Sequence, residues 1–324
     1  MKKFFKYFNA VFLLAIIGVI GYIITHRQNL LDYLALRNYS PSAVVIKLGD
    51  DTAMTAKTRN VFYVNHPSIE EKKSFAGACP QQEKTIVLGC FISNKGIYLL
   101  DVTDQRLQGI VEVTAAHEVL HAMYDRLSSG EKARVDKMTS DFFVTLDNKR
   151  IKTNIENYRA KDPGVVPNEL HSILATEVRD LSPELESYYS QYFKDRKAIV
   201  VFSEKYEQTF TNIEQQVKEL DAQLKNLKTQ IDAEEAQLKD LGSQVDSQRT
   251  RLDNLVKSKK IAEYNAGVES FNNLVNRYNA LIRDRQAKSV TYNKIVDQYN
   301  NLATTEASLV KSLETNDIQP IDGN

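Results

Sequence analysis

The 324-residue chain carries 42 basic and 42 acidic side chains and is formally neutral, which removes any global electrostatic pull toward nucleic acid. All seven prolines lie outside residues 184–319, so the length divides into one compact part and one elongated helical part. Partners must therefore be argued from sites.

Tyr7 to Thr25 is a run of 19 residues without a charge, about 28 Å of helix, or roughly one hydrocarbon core. Lys2, Lys3 and Lys6 precede it and only Arg27 follows closely. The positive-inside rule then predicts residues 1–6 in the cytoplasm, residues 7–25 as a single transmembrane signal anchor in the cell membrane, and everything after it outside the cytoplasm. A cleaved signal peptide is the alternative, but Tyr22-Ile23-Ile24-Thr25-His26 offers no small-x-small cleavage site. Residues 26–58 read as a juxtamembrane helical linker. In it, Leu30, Leu31, Leu34 and Leu36 are partly periodic, and a junction at Asn38-Tyr39-Ser40-Pro41 precedes one or two short helices.

From Asn60 the pattern becomes strand-like. Val61-Phe62-Tyr63-Val64 is a short apolar run ended by Asn65-His66-Pro67. Residues 85–92 and 96–102 read as a hairpin around Ser93-Asn94-Lys95, with Gly96 available for a positive φ. Cys79 and Cys90 are the only cysteines, and outside the cytoplasm they are expected to form a disulfide. A second metal site is the alternative, weakened by the lack of a neighbouring Cys or His pair.

Residues 107–127 contain no proline and carry the helical stripe Ile110, Val113, Thr114, Leu120 and Met123 or Tyr124. On that helix His117 and His121 stand at i and i+4, so both imidazoles leave one face close enough to share a metal, and Glu118 lies beside that face. Ala115, Ala116, Val119, Leu120 and Ala122 are small or apolar, as a buried active-site helix requires. His117-Glu118-Val119-Leu120-His121 resembles the HExxH signature of zinc metallopeptidases. The resemblance implies Zn2+ held by His117 and His121, Glu118 as general base, and a protein or peptide substrate.

Ser128-Ser129-Gly130-Glu131 then opens another helix, with Val135, Met138, Phe142, Phe143 and Leu146 on its apolar face. A further helical stretch with Ile151, Ile155 and Tyr158 ends at the turn Lys161-Asp162-Pro163-Gly164. Two histidines leave a zinc site incomplete. About 50 residues after the motif, a helix from Pro167 carries Glu169, His171 and Glu177. This separation resembles the gluzincins, in which a glutamate on a second helix closes the site. Glu169, followed by the small Ser172, fits that pattern better than Glu177, and His171 is a third choice. His171 or Tyr158 is the candidate oxyanion stabiliser, with an ordinary core or surface histidine as the bland reading of His171. The chain lacks the distal histidine of metzincins and a clean Glu-x-x-x-Asp, so the resemblance assigns no subfamily and no particular substrate.

Beyond Lys197 the period changes. Ile213, Val217, Leu220, Leu224, Leu227, Ile231, Leu238, Leu241, Val245, Leu252 and Leu255 alternate by four and three, with Glu234 and Gln248 interrupting, which is a coiled-coil seam. After Lys257-Ser258-Lys259-Lys260, Tyr264, Phe271, Tyr278, Tyr292 and Tyr299 fall in one heptad register, each followed by Asn. Aromatic residues at such positions are read as packing rather than as a ligand site. Two arms of nearly equal length predict a helical hairpin, with a parallel dimer as the alternative.

The sequence thus predicts an α+β fold: a mostly helical, zincin-like domain with a small sheet (59–197), a long α-helical coiled coil (198–314) and a disordered tail (315–324), all behind an N-terminal transmembrane helix. The function predicted is a membrane-anchored, extracytoplasmic zinc peptidase. Two other classes stay open: a non-catalytic, zinc-stabilised surface protein of structural or adhesive type, and a coiled-coil scaffold that self-associates or binds a cell-surface partner.

Overall fold

The computed structural model describes residues 27–79 and 86–315. The predicted cytoplasmic segment 1–6, the apolar span 7–25 and the tail beyond Thr315 lie outside the described residues. Among the described residues no helix is long and apolar enough to cross a membrane. The chain divides into two compact units, one holding the described residues up to Thr209 together with 311–315, the other Phe210–Val310.

Three short helices come first: α1 Arg27–Leu36, α2 Ala43–Asp51 and α3 Ala56–Val64. Ser42 and Thr55 start α2 and α3 by accepting the Val45 and Thr58 backbone N–H groups, which no helical carbonyl can reach. Each such cap contributes about 1 kcal/mol. The predicted strand Val61–Val64 is instead the last turn of α3. Four apolar residues in a row satisfy either period. Here the Thr55 cap and the burial of Thr58, Val61 and Phe62 at i, i+3 and i+4 select the helix.

The sheet has three strands in the order β1-β3-β2: β1 Ser68–Glu70, β2 Gly89–Ile92 and β3 Gly96–Leu100. β2 and β3 form the predicted antiparallel hairpin, Gly89 opposite Leu99 and Ile92 opposite Gly96, with Asn94 in the left-handed region of the turn. β1 pairs parallel with β3, and its three residues Ser-Ile-Glu carry no periodic signal that would announce it. Helix α4, Lys72–Ala78, lies between β1 and β2 in the chain. Cys79, at its end, forms a disulfide with Cys90 of β2 beside Phe75 and Leu100.

The rest of the first unit is helical: α5 Ile110–Asp125, α6 Ser129–Thr145, α7 Lys149–Lys161, α8 Val166–Glu177 and α9 Pro183–Tyr189. Ser128 and Glu131 form a reciprocal capping box at α6. The main core combines Ala115, Ala116, Val119 and Leu120 of α5 with Leu170, Ile173 and Leu174 of α8, and takes in Val45, Leu48 and Met54 from the stretch read as a linker. Leu120 and Leu174 are fully buried, so truncating either to Ala would cost about 2–5 kcal/mol.

Helices α10 Arg196–Lys257 and α11 Ile261–Leu313 supply the second unit. Every seam position from Ile213 to Leu255 is buried or half-buried while nearly all other positions of that arm are exposed, and the five heptad aromatics of α11 are half-buried in the same way. The two helices pair antiparallel: Arg285 Nη2 lies 3.2 Å from Glu235 Oε2, Lys288 pairs with Glu234, and Tyr278 lies over Gly242. The arms are therefore a hairpin within one chain. Glu234, which breaks the apolar seam, is buried and held by Lys288, a charged layer suited to fixing register.

Candidate metal centre

Helix α5 starts at Gly109, whose φ of +100° is one that L side chains rarely adopt and whose missing Cβ leaves room for the Phe202 carbonyl. Ten of its sixteen residues are buried, including Ala115, Ala116 and Ala122, and such small residues permit close approach of the helix packed on them. His117 and His121 leave it side by side, their ring centroids 4.6 Å apart.

Helix α8, with Pro167 in its first turn, brings Glu169 to those two rings. Glu169 Oε2 is 3.4 Å from His117 Nε2, and Glu169 Oε1 is 3.7 Å from His121 Nε2. Donor atoms bound tetrahedrally at 2.0–2.1 Å from zinc would be about 3.3 Å apart, so this trio fits such an ion with small adjustments. One further observation agrees: Glu169 Oε2 is buried and has no well-formed hydrogen bond, an orphan costly to leave unmatched. Burial works against the charged imidazole of His117, yet Glu169 beside it holds the ring up at about 9, so without a metal a proton on His117 supplies the positive charge, and a bound ion would displace that proton. Burial likewise works against the Glu169 carboxylate, yet His117, His121 and Tyr158 keep it below the usual range.

One turn after Glu169, Ser172 places its Oγ 3.3 Å from His121 Nδ1, which leaves Nε2 turned toward Glu169. The sequence marked Ser172 only as small. Glu177, the alternative third ligand, is not part of the trio: its Oε2 lies 2.8 Å from Arg150 Nη1, and the same guanidinium reaches Glu207. Nothing in the sequence pairs Arg150 with Glu177.

His171 points away from the site. It is fully buried among Tyr124, Tyr188, Tyr189 and Tyr192, with Nε2 3.0 Å from the Tyr188 hydroxyl. Burial lowers its pKa to about 3, so it stays neutral. The ligand and oxyanion roles considered for His171 are thereby corrected to a core histidine. Tyr158 does line the cavity. Its phenol is pushed above the usual range by burial and then by Glu169, Glu118 and Glu177, and so remains a proton donor.

Glu118 is 5 % exposed and faces β2. Burial raises its pKa, opposed by His121, His117 and the Phe91 backbone N–H. A buried carboxylate of raised basicity, outside the donor trio but beside it, is suited to accept a proton. The cavity that joins these groups has a volume of about 580 Å3, and residues 86–92 form one wall. A Cβ on Gly89 would stand 2.5 Å from Thr114 Cγ2 and 2.8 Å from Glu118 Cγ, so only glycine lets the strand lie this close. Gly89→Ala is expected to push β2 off α5 and cost about 1–3 kcal/mol. Calorimetry would read this as a lower Tm, and an unchanged Tm would mean that strand and helix are not in such contact.

Scans of this chain against protein-family models, curated proteins and solved structures find no match, so the reading of the site rests on its own geometry.

Proposed function

We propose that this chain is a zinc-dependent peptidase with a zincin-like domain, anchored by residues 7–25 and working outside the cytoplasm. The observation that carries the reading is the Glu169 carboxylate set against the Nε2 atoms of His117 and His121, with Glu118 alongside but not among the donors. His117, His121 and Glu169 would hold the ion. Zinc bound there supplies a Lewis acid that polarises the scissile carbonyl and makes water more acidic.

Glu118 takes the proton from the attacking water and delivers it to the leaving amine. Tyr158 stands in the same cavity with its proton retained and donates to the carbonyl oxygen as negative charge develops there. Strand β2 has β3 on one side and, among the described residues, no strand on the other. An extended peptide laid along it would run past Glu118. A purely structural zinc site has no use for a buried Glu118, which disfavours the zinc-stabilised adhesive reading.

The test is a cleavage profile of the full chain on an unbiased peptide library, with and without a chelator. Peptide-bond hydrolysis that stops on chelation and returns with zinc is the expected result. Stoichiometric zinc without hydrolysis would move the assignment to the non-catalytic reading.

A further inference from the structure

Helix α1 is amphipathic in the reverse sense. Its one buried residue is Asp32, while Leu30, Leu31, Tyr33 and Leu34 are 47, 46, 66 and 52 % exposed. At about 100° per residue these four apolar side chains share an arc of about 160°, and Asp32 lies on the opposite side.

The orientation is fixed. Both Asp32 carboxylate oxygens accept from Arg126, at 2.8 and 2.9 Å, and Gln28 Nε2 donates to the same carboxylate at 3.0 Å. His66, stacked on Tyr39, sits 3.0 Å from the Ala35 carbonyl. Rolling the leucines inward would break this bidentate charge pair with Arg126, the stronger of the two contacts that hold Asp32. Arg126 also closes α5, so this pair ties α1 to the end of the helix that carries His117 and His121.

Three leucines and a tyrosine fixed outward call for an occupant. The preceding chain indicates which: the 19 uncharged residues from Tyr7 to Thr25 end two positions before Arg27, the first described residue of α1. An apolar arc on one side of α1, with Asp32 held by Arg126 on the other, suits contact with a bilayer surface rather than a path across it. Tyrosine suits the headgroup level, and Arg27 and Arg37 bracket the helix with cations for lipid phosphates. We propose that the outward face of α1 docks into the membrane interface beside the anchor, and that the Asp32–Arg126 pair thereby sets the attitude of the metal helix to the bilayer. This inference rests on the membrane anchor proposed above.

The chain contains no tryptophan, so a single one reports its own surroundings. Leu31→Trp and, as an aromatic-for-aromatic second variant, Tyr33→Trp are made in the full chain. Each is incorporated into phosphatidylcholine–phosphatidylglycerol vesicles, with and without lipids brominated along the acyl chain. The expected result is blue-shifted emission that brominated lipids quench, more strongly when the bromine is near the headgroup end than near the methyl end. Red-shifted emission quenched by aqueous iodide overturns the proposal. Blue-shifted emission without bromolipid quenching also overturns it, since a second copy or another segment of the chain then covers the face. Both of those outcomes leave the anchor intact if the protein floats with the vesicles. Failure to float sinks the anchor and the lipid occupant together.

Discussion

Glu118→Gln is expected to cut turnover by orders of magnitude while leaving zinc in place. The amide keeps the size of the carboxylate and an oxygen for the Phe91 N–H, so neither the helix nor the closely packed Gly89 strand has reason to move. It removes the buried carboxylate beside the donor trio that is placed to accept a proton. Loss of a positioned general base costs typically 10²–10⁴-fold, about 3–5 kcal/mol of barrier. Metal analysis should return the wild-type zinc content and the cleavage assay a kcat lower by orders of magnitude. A wild-type rate in this variant would refute the mechanism.

Glu169→Ala and Glu177→Ala should separate cleanly by metal content. Removing Glu169 takes away the only carboxylate among the described residues within 4 Å of both Nε2 atoms, and two neutral imidazoles lack the charge and geometry to retain zinc against dilution. Removing Glu177 takes a partner from Arg150 and leaves the trio whole, so any loss of affinity should stay within the roughly 10–100-fold typical of groups behind the ligands. Circular dichroism checks that both variants fold. A folded, zinc-free Glu177→Ala protein with a zinc-replete Glu169→Ala protein would reverse the assignment.

Features that depend on spacing along one element were legible in the sequence. His117 and His121 share a face because they are one turn apart on a stretch with helical periodicity, and nothing distant alters that. The seam from Ile213 to Leu255 is likewise local, as is the turn between β2 and β3, where Asn94 and Gly96 both take positive φ between flanking apolar runs.

Other features depend on how elements pack, and there the sequence left alternatives. Val61–Val64 suits a strand or a helix until its neighbours supply a face to bury against. Glu169, His171 and Glu177 share a helix, and sequence alone says little about which way that helix is turned. Packing of α8 on α5 through Leu170, Ile173 and Leu174 turns Glu169 to the imidazoles and His171 into the tyrosine core. Glu177, two turns on, is left to Arg150. The reversed face of α1 is the extreme case: Leu30, Leu31, Leu34 and Leu36 are only partly periodic and leave open which side of the helix is buried. Only Arg126, 94 positions away in the chain, turns the aspartate inward and the leucines out. Periodicity along a chain decides which residues share a face; what that face meets is decided by partners that only the tertiary structure brings near.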